Sequence, residues 1–94
     1  MDISFSQKAL IPEDVVFRDL DGESVLLNLD NENYYGLDEV GTRIWHVLTT
    51  SNSIQEAYQT LLAEYDTTPE ILRQDIIRLI DELTTQGLIE LSDG

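Results

Sequence analysis

The 94-residue chain has no cysteine, one histidine, two prolines and only five basic side chains. Without cysteine there is no disulfide framework and no thiolate metal site. With nineteen acids against five bases the net charge is −14, which repels phosphate backbones and anionic lipid heads, so neither nucleic acid nor a membrane surface is expected as a partner. No apolar run approaches the ~20 residues of a membrane span. The N-terminal MDISFSQKALIPED has neither the basic start nor the apolar stretch of a signal peptide, so a cytoplasmic location is expected.

Chemistry-bearing clusters are equally sparse. His46 has no partner set in sequence and reads as a packed or solvent-edge residue. The carboxylates are spread over turns and helix faces, and none is marked as an acid held in an apolar site with a raised pKa. Asp30, Asn31 and Glu32 resemble only a fragment of a calcium loop. No glycine-rich loop precedes a helix in the phosphate-cradling manner. Tyr34 and Tyr35 could stack on bases, but the basic groove that accompanies such platforms is missing. Neither metal, cofactor nor catalysis is expected.

What is present is patterning. The apolar fraction of 41% suits one small globular domain spanning 1–94. Residues 1–13 show no sustained period and contain Pro12, so they read as a loosely attached arm. VVFRDL from Val15 is β-rich and ends at Asp21-Gly22, a pair suited to a two-residue type I′ hairpin. In SVLLNL, Val25, Leu27 and Leu29 share one face at period two. Asp30-Asn31-Glu32 is a second turn signal. Asn33 to Leu37 makes a short third strand, with Tyr35 and Leu37 opposite Tyr34. Short turns between the three strands imply an antiparallel meander.

Three helices follow. Asp38 is placed to cap the first, and Val40, Ile44, Val47 and Leu48 keep helical spacing. Gly41 inside it costs roughly 1 kcal/mol against alanine; space for a tyrosine, Tyr34 or Tyr35, is the expected reason. Ser53-Ile54-Gln55-Glu56 is a capping box for the second helix. Thr68-Pro69 starts the third, which runs to about Gln86 with Gly87 as its stop. LIEL after it forms a short fourth strand or packs down.

The third helix carries two apolar stripes. At ~100° per residue, Leu72, Ile76, Leu79 and Leu83 cluster within about 60° and form a core stripe. Arg73, Ile77, Ile80 and Thr84 flank it. They either widen the core face or wall a groove with an arginine at its rim. The last strand of the meander leaves one edge unpaired unless the arm or a symmetry mate shields it. An extended peptide can add there as a further strand.

A winged helix-turn-helix also has three helices and a small sheet. As a DNA reader, the third helix would need bases, yet here Arg73 and Arg78 face Glu70, Asp75, Asp81 and Glu82. The architecture fits and the DNA role does not.

The run VLLNLDNENYYGLDEVGTRIWHVL, with EAYQTLLAEYD and DIIRLIDELTTQGLIEL after it, resembles the PqqD-like family over about Val15 to Leu91. The most specific parts are Tyr35-Gly36-Leu37 with Val40-Gly41 and Trp45, and the Gly87-Leu88-Ile89 close. The resemblance implies an α+β winged helix-turn-helix, a three-stranded antiparallel sheet followed by three helices, without catalysis. It implies that the leader of a ribosomally made precursor peptide binds as an added strand against the third strand, beside the third helix. The bound precursor is then presented to a modifying enzyme or a leader protease. Carried onto this chain, the contact positions are Asn33, Tyr34, Tyr35, Gly36 and Leu37 on the strand, and Arg73, Ile76, Ile77, Ile80 and Thr84 on the helix. The chain resembles freestanding members, which serve quinone-cofactor, radical-mediated and lasso-peptide pathways; a lasso pathway with a separate leader protease fits. The competing expectation is an acidic winged-helix adaptor or regulatory dimer that uses the same edge without a peptide substrate.

Overall fold

In a computed structural model, residues 3–93 are described; residues 1 and 2 of the expected arm, and Gly94, lie outside them. The element order is β1 (Lys8–Leu10), β2 (Val15–Leu20), β3 (Glu23–Asn28), β4 (Tyr34–Leu37), α1 (Glu39–Thr50), α2 (Ile54–Glu64), α3 (Pro69–Thr85) and β5 (Glu90–Ser92). The meander β2-β3-β4 is antiparallel throughout and three helices follow it, giving the α+β winged arrangement. Asp21 (φ 60°) and Gly22 (φ 93°) both take positive φ at the first hairpin, as a type I′ turn requires.

Pairing puts Phe17, Leu26 and Tyr35 in one row and Val16, Leu27 and Tyr34 in the next. Side chains on a strand alternate between faces, so the rows point to opposite sides. The buried side of β3 is Ser24, Leu26 and Asn28. Val25 and Leu27 therefore point outward, and Leu29 beyond the strand is 59% exposed. The period was legible, but the face carrying more aliphatic residues is the outer one. Two polar residues sit inward because each has a hydrogen-bond partner there. The Ser24 hydroxyl bonds that of Thr42 on α1 at 2.8 Å. Asn28 holds the end of α3.

Asp38 caps α1, its Oδ1 accepting the Gly41 N–H at 2.7 Å. A Cβ on Gly41 would lie 3.2 Å from Leu37 Cδ2 and 3.3 Å from Asp38 Oδ1. The glycine thus makes room for the cap and for Leu37, not for a tyrosine as expected from the sequence. Ser53 Oγ accepts the Glu56 N–H at the start of α2, and Thr68 Oγ1 accepts that of Ile71 in α3. Arg43 of α1 grips the Glu64 carboxylate at the end of α2 through two nitrogens, and this holds the Glu64 carboxyl below its usual range.

Helix α3 closes with a Schellman motif. Leu88 N–H donates to Leu83 O and Gly87 N–H to Thr84 O, with Gly87 at φ +74°. Replacing Gly87 by alanine is expected to cost about 1–2 kcal/mol, because φ is unfavourable for a side chain and the new methyl would meet the Asn31 amide at 3.0 Å. Urea unfolding would measure it; an unchanged midpoint would mean this close contributes little.

One core joins the layers. Leu26, Trp45, Leu48, Ile54, Leu61, Leu72, Ile76, Ile80, Leu83 and Leu88 are at most 4% exposed. Phe17 stacks on Trp45 with ring centroids 6.3 Å apart. The His46 ring meets Phe17 edge-on at 4.9 Å, which accounts for the lone histidine as packing.

Residues 3–13 are docked, correcting the expected loose arm. Strand β1 pairs antiparallel with β5, Lys8 opposite Ser92 and Leu10 opposite Glu90. The terminal strand after α3 therefore forms, but against the arm and not the meander. Phe5 and Ala9 are buried. The Phe5 ring meets Tyr58 of α2 edge-on and lies 4.2 Å beneath the Arg73 guanidinium of α3. The first amides of α2, which have no intrahelical partners, donate from Ile54 to Gln7 O and from Gln55 to Phe5 O. An irregular sequence is held because it satisfies another element's orphan donors, which no periodicity reports. Among the described residues, no helix is long and apolar enough to cross a membrane.

Candidate functional site

Among the described residues, β4 is bonded along one side only, to β3. Its other side opens on a cleft of about 230 Å³. Tyr35, Gly36 and Leu37 of β4 form one wall, and Asp38, Val40, Gly41 and Ile44 at the start of α1 form the end. The opposite wall is α3, through Asp75, Arg78, Leu79 and Glu82. None of residues 3–13 lines this cleft, and their strand is engaged with β5.

The floor is apolar. Leu37 and Ile44 are 4% and 5% exposed, and Val40 projects at 49%. Charge sits at the rim, where Arg78 Nη2 lies 3.3 Å from Asp75 Oδ1 with most of the guanidinium in water. The Tyr35 hydroxyl donates to the Glu82 carboxylate and so spans from β4 to α3. That bond, with burial second, pushes the Tyr35 hydroxyl above its ordinary range. The folded state thus favours the protonated phenol. Its contribution is complete below pH ~10 and is lost as pH rises through the higher folded value. Wild type is therefore expected to lose stability in that window and Tyr35→Phe to lose less. Denaturant midpoints from pH 8 to 11 would show it, and parallel curves would remove the bond from the stability account.

The strand residues named from the sequence divide. Tyr35, Gly36 and Leu37 line the cleft. Tyr34 lies on the outer face at 73% exposure. Asn33 belongs to a clamp on the carboxyl end of α3: its amide donates to Gln86 O at 3.3 Å, while Asn28 donates to Gly87 O at 2.7 Å and Asn31 to Gln86 O at 3.5 Å. The three asparagines donate to the carbonyls of Gln86, the C-cap, and of Gly87 just beyond the helix.

The helix residues named from the sequence do not wall this cleft. Ile76 and Ile80 are fully buried, Arg73 covers Phe5, and Ile77 and Thr84 are half-buried, with the Thr84 hydroxyl donating to Ile80 O. The core stripe is Leu72, Ile76, Ile80 and Leu83, so the helix is rolled relative to the expected stripe. Its 73/77 flank lies toward the docked N-terminal segment, and the 75/78/79/82 flank faces β4. Leu79, expected in the core, is instead the apolar centre of the cleft's helical wall. Periodicity locates a stripe but not the neighbour on each side of it. The arm, read as loose, was the missing neighbour.

Among the described residues, no three His, Cys, Asp or Glu side chains converge as a metal site. The arrangement offers an unpaired backbone edge, an apolar floor and a charged rim, which together suit an extended chain.

The family profile of coenzyme PQQ synthesis protein D (PqqD) matches residues 23–89. The fold is similar to that of TbiB1, solved in complex with the TbiA(beta) leader peptide, at a TM-score of 0.78 and 34% identity, covering 85% of this chain and 93% of that one. A lasso peptide synthetase B1, complexed with the leader peptide, shares the fold at a TM-score of 0.78 and 22% identity, covering 88% of this chain and 98% of that one. A search of curated protein sequences finds no match. By the profile match and the 34% identical relative, the chain belongs to the PqqD family.

Proposed function

We propose that this protein recognises the leader of a ribosomally made precursor peptide, in a pathway of the lasso-peptide type. The leader adds as a strand to the free edge of β4 and lies in the cleft against α3. The observation that carries this reading is the one-sided pairing of β4 beside an apolar-floored cleft, in a chain 34% identical to a protein solved with a leader peptide. Main-chain hydrogen bonds supply affinity, and alternate side chains of the guest enter the cleft. Leu37, Val40, Ile44 and Leu79 offer those side chains apolar contact, and Arg78 gives the rim one cation in a chain with net charge −14. The protein itself performs no chemistry. It holds the leader so that a modifying enzyme or leader protease acts on the attached core peptide.

The test is a titration of isotopically labelled protein with synthetic leader peptides, the TbiA(beta) leader solved with the 34% identical relative among them. Amide shifts are expected in residues 34–44 and 75–82, with slowed hydrogen exchange in β4. Shifts confined to β1, β5 and α2 would overturn the reading.

A further inference from the structure

The sheet has a second surface that leader binding leaves unused. Pairing sets Val16, Leu27 and Tyr34 side by side across β2, β3 and β4 on its outer face. The next row is Arg18, Val25 and Gly36, and Leu20 ends β2. Val16, Leu20 and Tyr34 are 40%, 51% and 73% exposed. Gly36 adds nothing to this face, and a Cβ built there meets no atom within 4 Å. A depression of about 260 Å³ results, bordered by Leu20, Val25 and Gly36. Acidic turns bound the face at both ends, Asp21 and Glu23 at one hairpin and Asp30 and Glu32 at the other, all exposed.

An apolar face that carries one cation, Arg18, within an acidic margin of four carboxylates specifies its partner by the net charge of that margin. A second copy, also at net −14, would bring like charges rim to rim. Anionic lipid and nucleic acid are repelled for the same reason. We propose that the outer face of β2-β3-β4 docks a protein whose contact surface is apolar at its centre and lysine- or arginine-rich at its rim. Resting on the leader reading above, that partner is the enzyme that processes the bound precursor. Leader and enzyme then occupy different parts of one sheet, the leader on the β4 edge and the enzyme on the outer face. Gly36, Leu37 and Asp38 border both the cleft and the depression, so the two ligands are held next to each other.

The test uses Val16→Glu/Leu20→Glu, placed on β2, two strands or about 10 Å from the leader edge. A separate Glu23→Lys variant alters the rim. Two titrations are run on each protein, one with a fluorescent leader and one with the leader-processing enzyme of the same pathway. Leader affinity is expected to stay within about twofold of wild type, while the enzyme binds the double variant at least about tenfold more weakly. Glu23→Lys is expected to slow enzyme association and flatten its salt dependence. Thermal unfolding checks that each variant is folded. Equal enzyme affinity for wild type and the folded double variant overturns the proposal, as does a wild-type dimer that the double variant dissociates. A leader that fails to bind wild type counts against the leader reading alone, because the enzyme titration judges this face independently.

Discussion

Ile80→Asp is expected to leave the chain unfolded in water at 25 °C. Ile80 is 0% exposed in the stripe that α3 shares with Leu72, Ile76 and Leu83. Removing a buried isoleucine costs about 2–5 kcal/mol. Placing an unpaired carboxylate in the same space adds about 3 kcal/mol or more, or forces the acid to take up a proton. A domain of this length has about 5–14 kcal/mol of stability in all. Far-UV circular dichroism against urea would register the loss. Gln74→Glu, which adds a charge on the exposed side of the same helix, should stay within about 0.5 kcal/mol of wild type. A folded Ile80→Asp protein would mean that α3 is rolled the other way, with the 73/77/80/84 stripe outward as one reading of its pattern allows.

The second expectation separates binding from folding. Val40→Glu should weaken leader binding about tenfold to a hundredfold while the melting temperature hardly moves. Val40 is 49% exposed and projects into the end of the cleft, so truncating its packing removes little from the core. It lies in the first turn of α1, two residues after the Asp38 cap, where a carboxylate gains about 0.3–1 kcal/mol from the helix dipole. The same carboxylate must be stripped of water when a guest's apolar side chain arrives, at a cost of roughly 1.5–3 kcal/mol. Fluorescence anisotropy with a labelled leader reads the affinity, and calorimetry the stability. Undiminished affinity would remove the cleft end from the binding surface. A collapse in melting temperature would show that Val40 is needed by the core.

These contrasts show what the sequence could disclose. Caps, turns and helix limits were legible because each is local: Asp38, Ser53, Thr68, Gly22 and Gly87 act within a few residues of themselves. The meander followed by three helices was legible for the same reason. Three other features depend on distant partners. Ser24 and Asn28 are buried polar residues because Thr42 and Gly87 await them, so the alternation that set Val25 and Leu27 on one face did not say which face is inward. Phe5 anchors the arm because Arg73 and Tyr58 bracket it. The flank of α3 that meets β4 is decided by that anchoring, and Leu79, Arg78 and Glu82 enter the site as its consequence. The β4 wall could be named in advance since its edge follows from strand order alone.

The three asparagine amides at the end of α3 bear on how the protein adjusts to its guest. They moor the helix beside Asn33, next to the Tyr35–Glu82 bond, while Asp75 stands eleven residues back along the axis, about 16 Å away at 1.5 Å per residue. At the other end Leu72 and Ile76 are buried in the core and Arg73 lies over Phe5. The wall that faces β4 is therefore anchored at both ends, and guests of different bulk are sorted by fit to it rather than met by its movement.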